Sequence, residues 1–450
     1  MSEKSLSVEA LQGDDSASKS KPSLSYYGEK TTGVVDKEIP NEQAAQKLVL
    51  HLGEAPDGGI RAWLVAFAVT LVSFSTFGFI NSWGVFQAYY EENLLRHDSP
   101  STIAWIGSTQ YALAYLPALA TGRLFDLGYF KLPFFAASCV IVACTFLIAE
   151  CTQFWQFFLT QGVGVGVGCG IIFSPAIVIV SHWFSKKRGI ALSITAVGAP
   201  LGSIVFPVAA QNLIPLIGFR WTIRVFGFIL MATLGMANIL LKRRLPPVDV
   251  RGGLFNLKAF RNKAYTIYCI SGIMILLGIY TELTYMSVSA VAIGVSKDSS
   301  FYIIAITNAA STFGRLLSGL LADKFGALNT MLPFIALSGV MTVAWPFAKN
   351  ESQLIAIATL YGFSAGAYVS LYSAPAVAMG KMEDAGRRVG MFMSLIAFGG
   401  VAGPPISGAI STATGGFVAA GYYAGGMILS AVVLLVVARY LHLGRLWGKF

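Results

Sequence analysis

Arg315 makes the largest chemical demand on the rest of the chain. It lies inside the apolar, helically spaced run TNAASTFGRLLSGLLADKFG at residues 307–326. An arginine at bilayer depth costs about 2.5–3.5 kcal/mol or more, so it must face protein or water. Its planar fork can hold a carboxylate through two parallel charge-assisted hydrogen bonds. The competing role is structural, a tie from its helix to a helix end or to the carboxylate of Asp323. Glu282, within GIYTELTYMS, is the one carboxylate placed well inside an apolar span. Desolvation there suits a proton carrier; otherwise it would be hydrated near a cavity mouth or paired with Arg220 or Arg224. Asp126 and Asp323 stand in short loops with Arg123 nearby. A carboxylate so placed can hold a helix N-terminus or an arginine in one conformation and release it in another, which makes these three residues candidates for a gate.

Asn81, Gln110, Asn308 and Ser311 are polar residues within apolar runs. Tyr111, Tyr115, Tyr280, Tyr285, Tyr361, Tyr368 and Tyr372 add aromatic bodies with a hydroxyl end. An apolar cavity with a few polar anchors suits a mid-sized, partly hydrophobic organic ligand. The binding set expected from these is Arg315, Asn81, Asn308, Ser311, Tyr361 and Tyr368, the remainder serving packing. His182 reads as an interface residue at a helix end. The run GVGVGVGCG at 162–170 lacks a preceding strand and a following Lys-Ser/Thr, so it is no phosphate loop. Its glycines at 162, 166 and 170 share one helix face and those at 164 and 168 another, a spacing that lets helices approach closely. With no metal-ligand cluster and no nucleophile–base pair, neither an enzyme, a metal site nor a cofactor is expected.

The elements that position these residues are membrane helices. The 450 residues are 55% hydrophobic and 12% charged, with mean hydropathy +0.66. A soluble chain carries about twice that charge. Twelve apolar runs can each span about 30 Å of hydrocarbon. They lie at 62–88, 102–121, 132–150, 154–182, 190–213, 219–241, 264–290, 300–321, 329–348, 353–379, 389–411 and 417–441. The net charge of +10 does not mark a nucleic-acid binder, because the basic residues sit in short loops between spans. Lys186–Arg188, the cluster from Lys242 to Lys263, and Lys381 with Arg387 and Arg388 fall on one side, which places both termini in the cytosol. The five cysteines lie in or beside spans and are expected to be free, buried thiols. Prolines 117, 175, 200, 207, 375, 404 and 405 mark expected kinks. The expected organisation is a disordered tail over 1–55 and a six-helix half over 56–241. A cytosolic central loop at 242–263, a second half over 264–441 and a short tail at 442–450 follow.

The pattern Gly319-x-Leu321-Ala322-Asp323-Lys324-x-Gly326, with a shorter copy at Gly122-x-Leu124-x-Asp126, resembles the loop signature of the major facilitator superfamily. Pro56-Asp57-Gly58-Gly59-x-x-Ala62-Trp63 resembles the signature that leads the first helix of its monocarboxylate-porter branch. Ser82-Trp83-Gly84-Val85-Phe86 closes that helix in the fungal style. Trp183-Phe184-Ser185-Lys186-Lys187-Arg188-Gly189-x-Ala191 and Gly198-x-Pro200-x-Gly202 resemble the second signature. Over residues 55–441 the chain looks like a fungal member of that branch. The resemblance implies an all-α membrane protein with the major facilitator fold, twelve transmembrane helices in two pseudo-symmetric halves, and a site between them.

In the animal lactate and pyruvate carriers of that branch, the helix-8 arginine binds the substrate carboxylate. An aspartate four residues earlier and a helix-1 lysine couple it to a proton. Here those two positions hold Ser311 and Asn81. The resemblance therefore keeps the anion anchor and drops both coupling residues, which fits fungal relatives better than lactate carriers. The expected function is secondary transport of a small organic acid or partly hydrophobic metabolite, as efflux of a fungal secondary metabolite. The alternatives are uptake of a monocarboxylate or vitamin-like nutrient and, more remotely, a non-transporting sensor. The expected partners are that substrate and the bilayer, with no nucleic acid. The expected state is a monomer in the cell membrane.

Overall fold

The computed structural model describes residues 55–245, 253–445 and 448–450. The expected tail up to residue 54 and the loop residues 246–252, Arg251 among them, lie outside the described residues. Everything described is helix, turn or loop. The helices are α1 (Ile60–Leu94), α2 (Pro100–Tyr115 continued by Ala118–Asp126), α3 (Lys131–Ile148) and α4 (Phe154–Trp183). Next come α5 (188–217) and α6 (219–240), which form one run, Arg188–Leu240, turned at Gly218 with φ +78°. The second half holds α7 (Lys263–Ala292), α8 (Lys297–Phe325), α9 (Ala327–Phe347), α10 (Glu351–Ala378), α11 (Ala385–Thr414) and α12 (Val418–Leu443).

Nine of the described helical runs are long and apolar enough by composition to cross a membrane, Arg188–Leu240 being one of them. Its turn at Gly218 makes two spans of it. The others, α2 and α8, fall short for reasons visible in their residues. Pro117 breaks α2, and α8 carries Arg315, Asp323 and Lys324. The twelve helices match the twelve apolar runs closely. Local residue chemistry sets their ends. Asn262, Ser296 and Asn350 accept N–H bonds from Ala264, Ser299 and Gln353 at 3.0, 3.1 and 2.9 Å, supplying acceptors at the starts of α7, α8 and α10. Gly326, Gly415 and Gly444 end α8, α11 and α12 at positive φ. α1 departs from a regular helix, with wider i→i+5 turns at Phe74–Gly78 and Tyr90–Leu94 and a break at Asn81 and Ser82.

Burial separates central from peripheral helices. The most apolar stretch of α4 is 78% buried, whereas those of α3 and α12 are 33% buried and leave apolar side chains for lipid. The glycines of α4 divide as their spacing predicts. Gly162, Gly166 and Gly170 meet α2, at Ile106, Gln110 and Leu113, and Gly164 and Gly168 meet α3, at Cys144 and Ile141. The cysteines are all free, but Cys139 is exposed and Cys144 half-buried rather than buried, both lying on α3, which is largely turned to lipid. The halves meet along α2 against α11 and α5 against α8. At the break made by Pro117, Ser394 of α11 donates to the Leu116 carbonyl at 2.9 Å and accepts the Leu119 N–H at 3.0 Å.

Candidate functional site

A cavity of about 920 Å³, counted with the solvent in its mouth, lies between the halves. α1, α2, α4 and α5 supply Ser73, Phe77, Asn81, Tyr115, Phe173, Ile177, Leu192, Thr195 and Ala199. α7, α8 and α10 supply Ile279, Tyr280, Leu283, Thr307, Asn308, Ser311, Arg315, Tyr361, Val369, Ser370, Tyr372 and Ser373. Arg315 is the one cationic side chain in this lining, which holds no carboxylate. Buried to 8% exposure, it donates from Nε to Ser311 Oγ at 3.2 Å and from Nη1 to the Ala196 carbonyl of α5 at 2.9 Å. Its Nη2 has no hydrogen-bond partner among the described residues. The guanidinium thus ties the two halves and keeps Nη2 uncommitted.

Of the expected binding set, Arg315, Asn81, Asn308, Ser311 and Tyr361 meet at this cavity. The Tyr361 hydroxyl donates to the Ile279 carbonyl of α7. Tyr368 does not join them. It lines a smaller adjoining void, with Tyr115, Leu276, Tyr280 and Ile396. Gln110 is also absent from the lining; it is 1% exposed and packs under Gly166. Tyr285 spends its hydroxyl on the Pro404 carbonyl at 2.9 Å, outside the cavity. Thr195 and the carbonyl of Ala196 were not singled out from sequence. A main-chain acceptor carries no side-chain signal, and a threonine in an apolar helix usually bonds its own backbone.

Glu282 is fully buried and turned away from the cavity, its Oε2 lying 3.1 Å from Thr342 Oγ1 of α9. It does not pair with Arg220 or Arg224. Those arginines stand 4.0 and 2.7 Å from Glu150.

At one end of the bundle the halves are joined by two matching contacts. Asp126, ending α2, accepts the N–H groups of Gly386 and Arg387 at 3.0 and 2.8 Å, at the start of α11. Asp323, near the end of α8, accepts those of Gly189 and Ile190 at 2.6 and 3.0 Å, at the start of α5. Asp323 follows Asp126 by 197 positions, and Gly386 follows Gly189 by the same 197. Each carboxylate meets the positive end of a helix dipole in the opposite half. Glycine is required at both helix starts, since a Cβ on Gly189 would lie 2.7 Å from Asp323 Oδ1 and one on Gly386 would lie 2.6 Å from the Gly122 carbonyl. Arg243, beyond the end of α6, donates to the Phe125 and Asp126 carbonyls and lies over the Phe125 ring. Burial pushes it down to about 10 while Asp126 pulls the other way, so it stays charged at neutral pH. Arg123 is buried beside Asp126 on the same helix turn. His182 is buried against Phe125, at the interface of α4 with α2.

The Pro56-Asp57-Gly58-Gly59 segment has a structural reason. Asp57 sits at φ +52°, donates its N–H to the Trp183 carbonyl and accepts from the Ser185 and Lys187 N–H groups at 2.6 and 3.0 Å. It thereby fixes the loop that presents Gly189 and Ile190 to Asp323.

A family profile described as Major Facilitator Superfamily matches residues 63–348 and 284–446. The chain belongs to the major facilitator superfamily. Within it, the chain is similar to the MFS transporter asaE of Aspergillus flavus, 34% identical over 400 residues that cover 86% of this chain and 89% of that protein. It is likewise 34% identical over 406 residues to the aspyridones efflux protein apdF of Emericella nidulans, covering 88% and 83%. Among solved structures, the human organic anion transporter MFSD10 matches with TM-score 0.69 at 16% identity, over 84% of this chain and all of that one. The E. coli fucose:proton symporter matches with TM-score 0.67 at 15% identity, over 85% and 98%. These two show the superfamily fold. As a superfamily member the chain is a multi-pass membrane transporter and not an enzyme.

Proposed function

We propose that this transporter exports a small, partly apolar organic anion, with Arg315 holding the acidic group. The observation that carries the reading is the lone guanidinium in a cavity lining free of carboxylates, with Nη2 uncommitted. Asn81, Asn308, Ser311 and Tyr361 would orient the polar end. Phe77, Phe173, Ile177 and Leu192 would cover the apolar body. Export is favoured by the kinship with the aspyridones efflux protein of Emericella nidulans. A fungal secondary metabolite of acidic character is the substrate class, which accords with a monocarboxylate-porter-like anchor lacking that branch's helix-1 lysine and helix-8 aspartate.

In this reading the joined end faces the cytosol. Lys186, Lys187, Arg387, Arg388 and Arg243 all gather at the Asp126 and Asp323 contacts, as positive-inside loops should. Both termini then lie in the cytosol, the cavity is reached from outside, and the host membrane is the cell membrane. Asp126, Asp323 and Arg123 act as the cytosolic gate, which opens to load substrate and closes to release it.

The test compares metabolites inside and outside cells with the gene present and deleted. An acidic compound retained inside the deletant and missing from its medium is the expected result. A nutrient that fails to enter, with no change in secreted compounds, would reverse the direction.

A further inference from the structure

Behind the cavity wall, one turn of α7 is bonded to three other helices. Ile279, Tyr280 and Leu283 face the cavity, and Glu282 turns toward α9. From α9, the Thr342 hydroxyl lies 3.1 Å from Glu282 Oε2 and 2.9 Å from the Ser338 carbonyl one turn back. Its single proton is shared between them or, with Glu282 neutral, goes to Ser338 while the acid donates to Thr342. From α10, the Tyr361 hydroxyl donates to the Ile279 carbonyl. From α11, the Ser407 hydroxyl meets that of Thr281 at 2.7 Å. Glu282 is 0% exposed, and its Oε1 has no partner among the described residues; nor has Ser338 Oγ, one turn before Thr342.

We propose that Glu282 is the proton site that couples this transporter, an inference that rests on the transport reading of the central cavity. No described cation offsets a charge at this position. On α8, Arg315 is committed to Ser311 and Ala196 in the cavity. On α11, Arg387 and Arg388 stand at the gate, and on α12, Arg439 and His442 lie near the end of that helix. Also on α12, Tyr422 is exposed and Tyr423 half-buried. α9 presents the hydroxyls of Ser338 and Thr342. α10 presents Tyr361, the ionisable group in electrostatic reach of Glu282. On α7 itself, Tyr280 faces the cavity and Tyr285 is bonded to α11.

An ionised carboxylate sealed here would be an uncompensated buried charge, so the neutral acid fits the packed arrangement. Ionisation requires α7 to shift against α9 and α10 until water reaches the carboxyl. Because α7 and α10 also line the cavity, the proton and the substrate then share one moving wall. The step is a single protonation: the carboxylate takes a proton from water on one side of the membrane and returns it on the other. This site is distinct in position from the helix-8 and helix-1 coupling residues that Ser311 and Asn81 replace.

The test is infrared pH-difference spectroscopy on the full chain in lipid nanodiscs, which needs no substrate. The wild type should show a protonated-carboxyl band that is lost as pH rises, and E282Q should lack it. Thr342→Val, which removes the hydroxyl beside Oε2 and leaves the carboxyl, should move the band's midpoint and frequency, and it serves if E282Q does not fold. Identical difference spectra for wild type and E282Q, or an unmoved band in Thr342→Val, would overturn the proposal. Failure of the export reading appears separately, as a deletant with unchanged metabolites.

Discussion

At the residue scale, the guanidinium of Arg315 ties the two halves, and in the proposed reading it also holds the acidic group of the substrate. Ser311 Oγ holds Nε at 3.2 Å, which fixes the plane of the fork facing the cavity. Ser311→Ala should leave the protein folded and raise the KM for export about fivefold, the cost of one ordinary hydrogen bond of about 1 kcal/mol. A transport assay on cells expressing equal amounts of the variant checks it; an unchanged KM would mean that the fork is oriented by Ala196 alone. Much of this chemistry was legible in sequence, because Arg315, Ser311, Asn308 and Asn81 are polar residues in apolar runs that would otherwise have no reason to hold them. Tyr368 is placed apart from the other expected binding residues for a definable reason. It lies seven residues after Tyr361 and so on the same helix face, but two turns further along, where it lines the smaller adjoining void.

At the element scale, the close approach of α4 to α2 depends on glycine. A Cβ on Gly166 would meet the Gln110 carbonyl and the Leu113 side chain, both at 3.0 Å. Gly166→Val should therefore cost roughly 1–3 kcal/mol through overpacking. Gly426→Ala on α12, where nothing lies within 4 Å, should be close to neutral. Thermal unfolding of the purified variants measures both, and equal Tm values would contradict the packing account. The spacing of the glycines showed that α4 had two close faces. It could not show which helices they meet, since that depends on the order of helices around the bundle. The twelve helices were legible from apolar runs of membrane length, but their ends were less so: α1 runs on to Leu94 and α2 to Asp126, where the apolar runs stop at 88 and 121. The wide turns and break in α1 were not, because no proline marks them.

At the scale of the whole molecule, matched carboxylate caps clamp the two halves at one end, with the proposed anion site between them. Each cap contributes on the order of 1 kcal/mol, up to about 2 where partly buried. Asp126→Ala with Asp323→Ala should shift the population toward an open gate. Spin labels at Lys187 and Phe325, on the two halves beside the Asp323 contact, should show a longer mean distance in the double variant; an unchanged distance would mean that helix packing alone holds the gate. The internal repeat made this legible, since both aspartates could be read from sequence at matching positions. Their partners were not, because a backbone N–H is the same in every residue but proline. Substrate anchoring by Arg315 is measured most directly by rescue of the gene deletant with wild type and with Arg315→Lys at matched membrane levels. The account predicts that the wild type returns the retained acidic compound to the medium and that Arg315→Lys, charged but without the fork, leaves most of it inside the cell. Full export by Arg315→Lys would contradict the account.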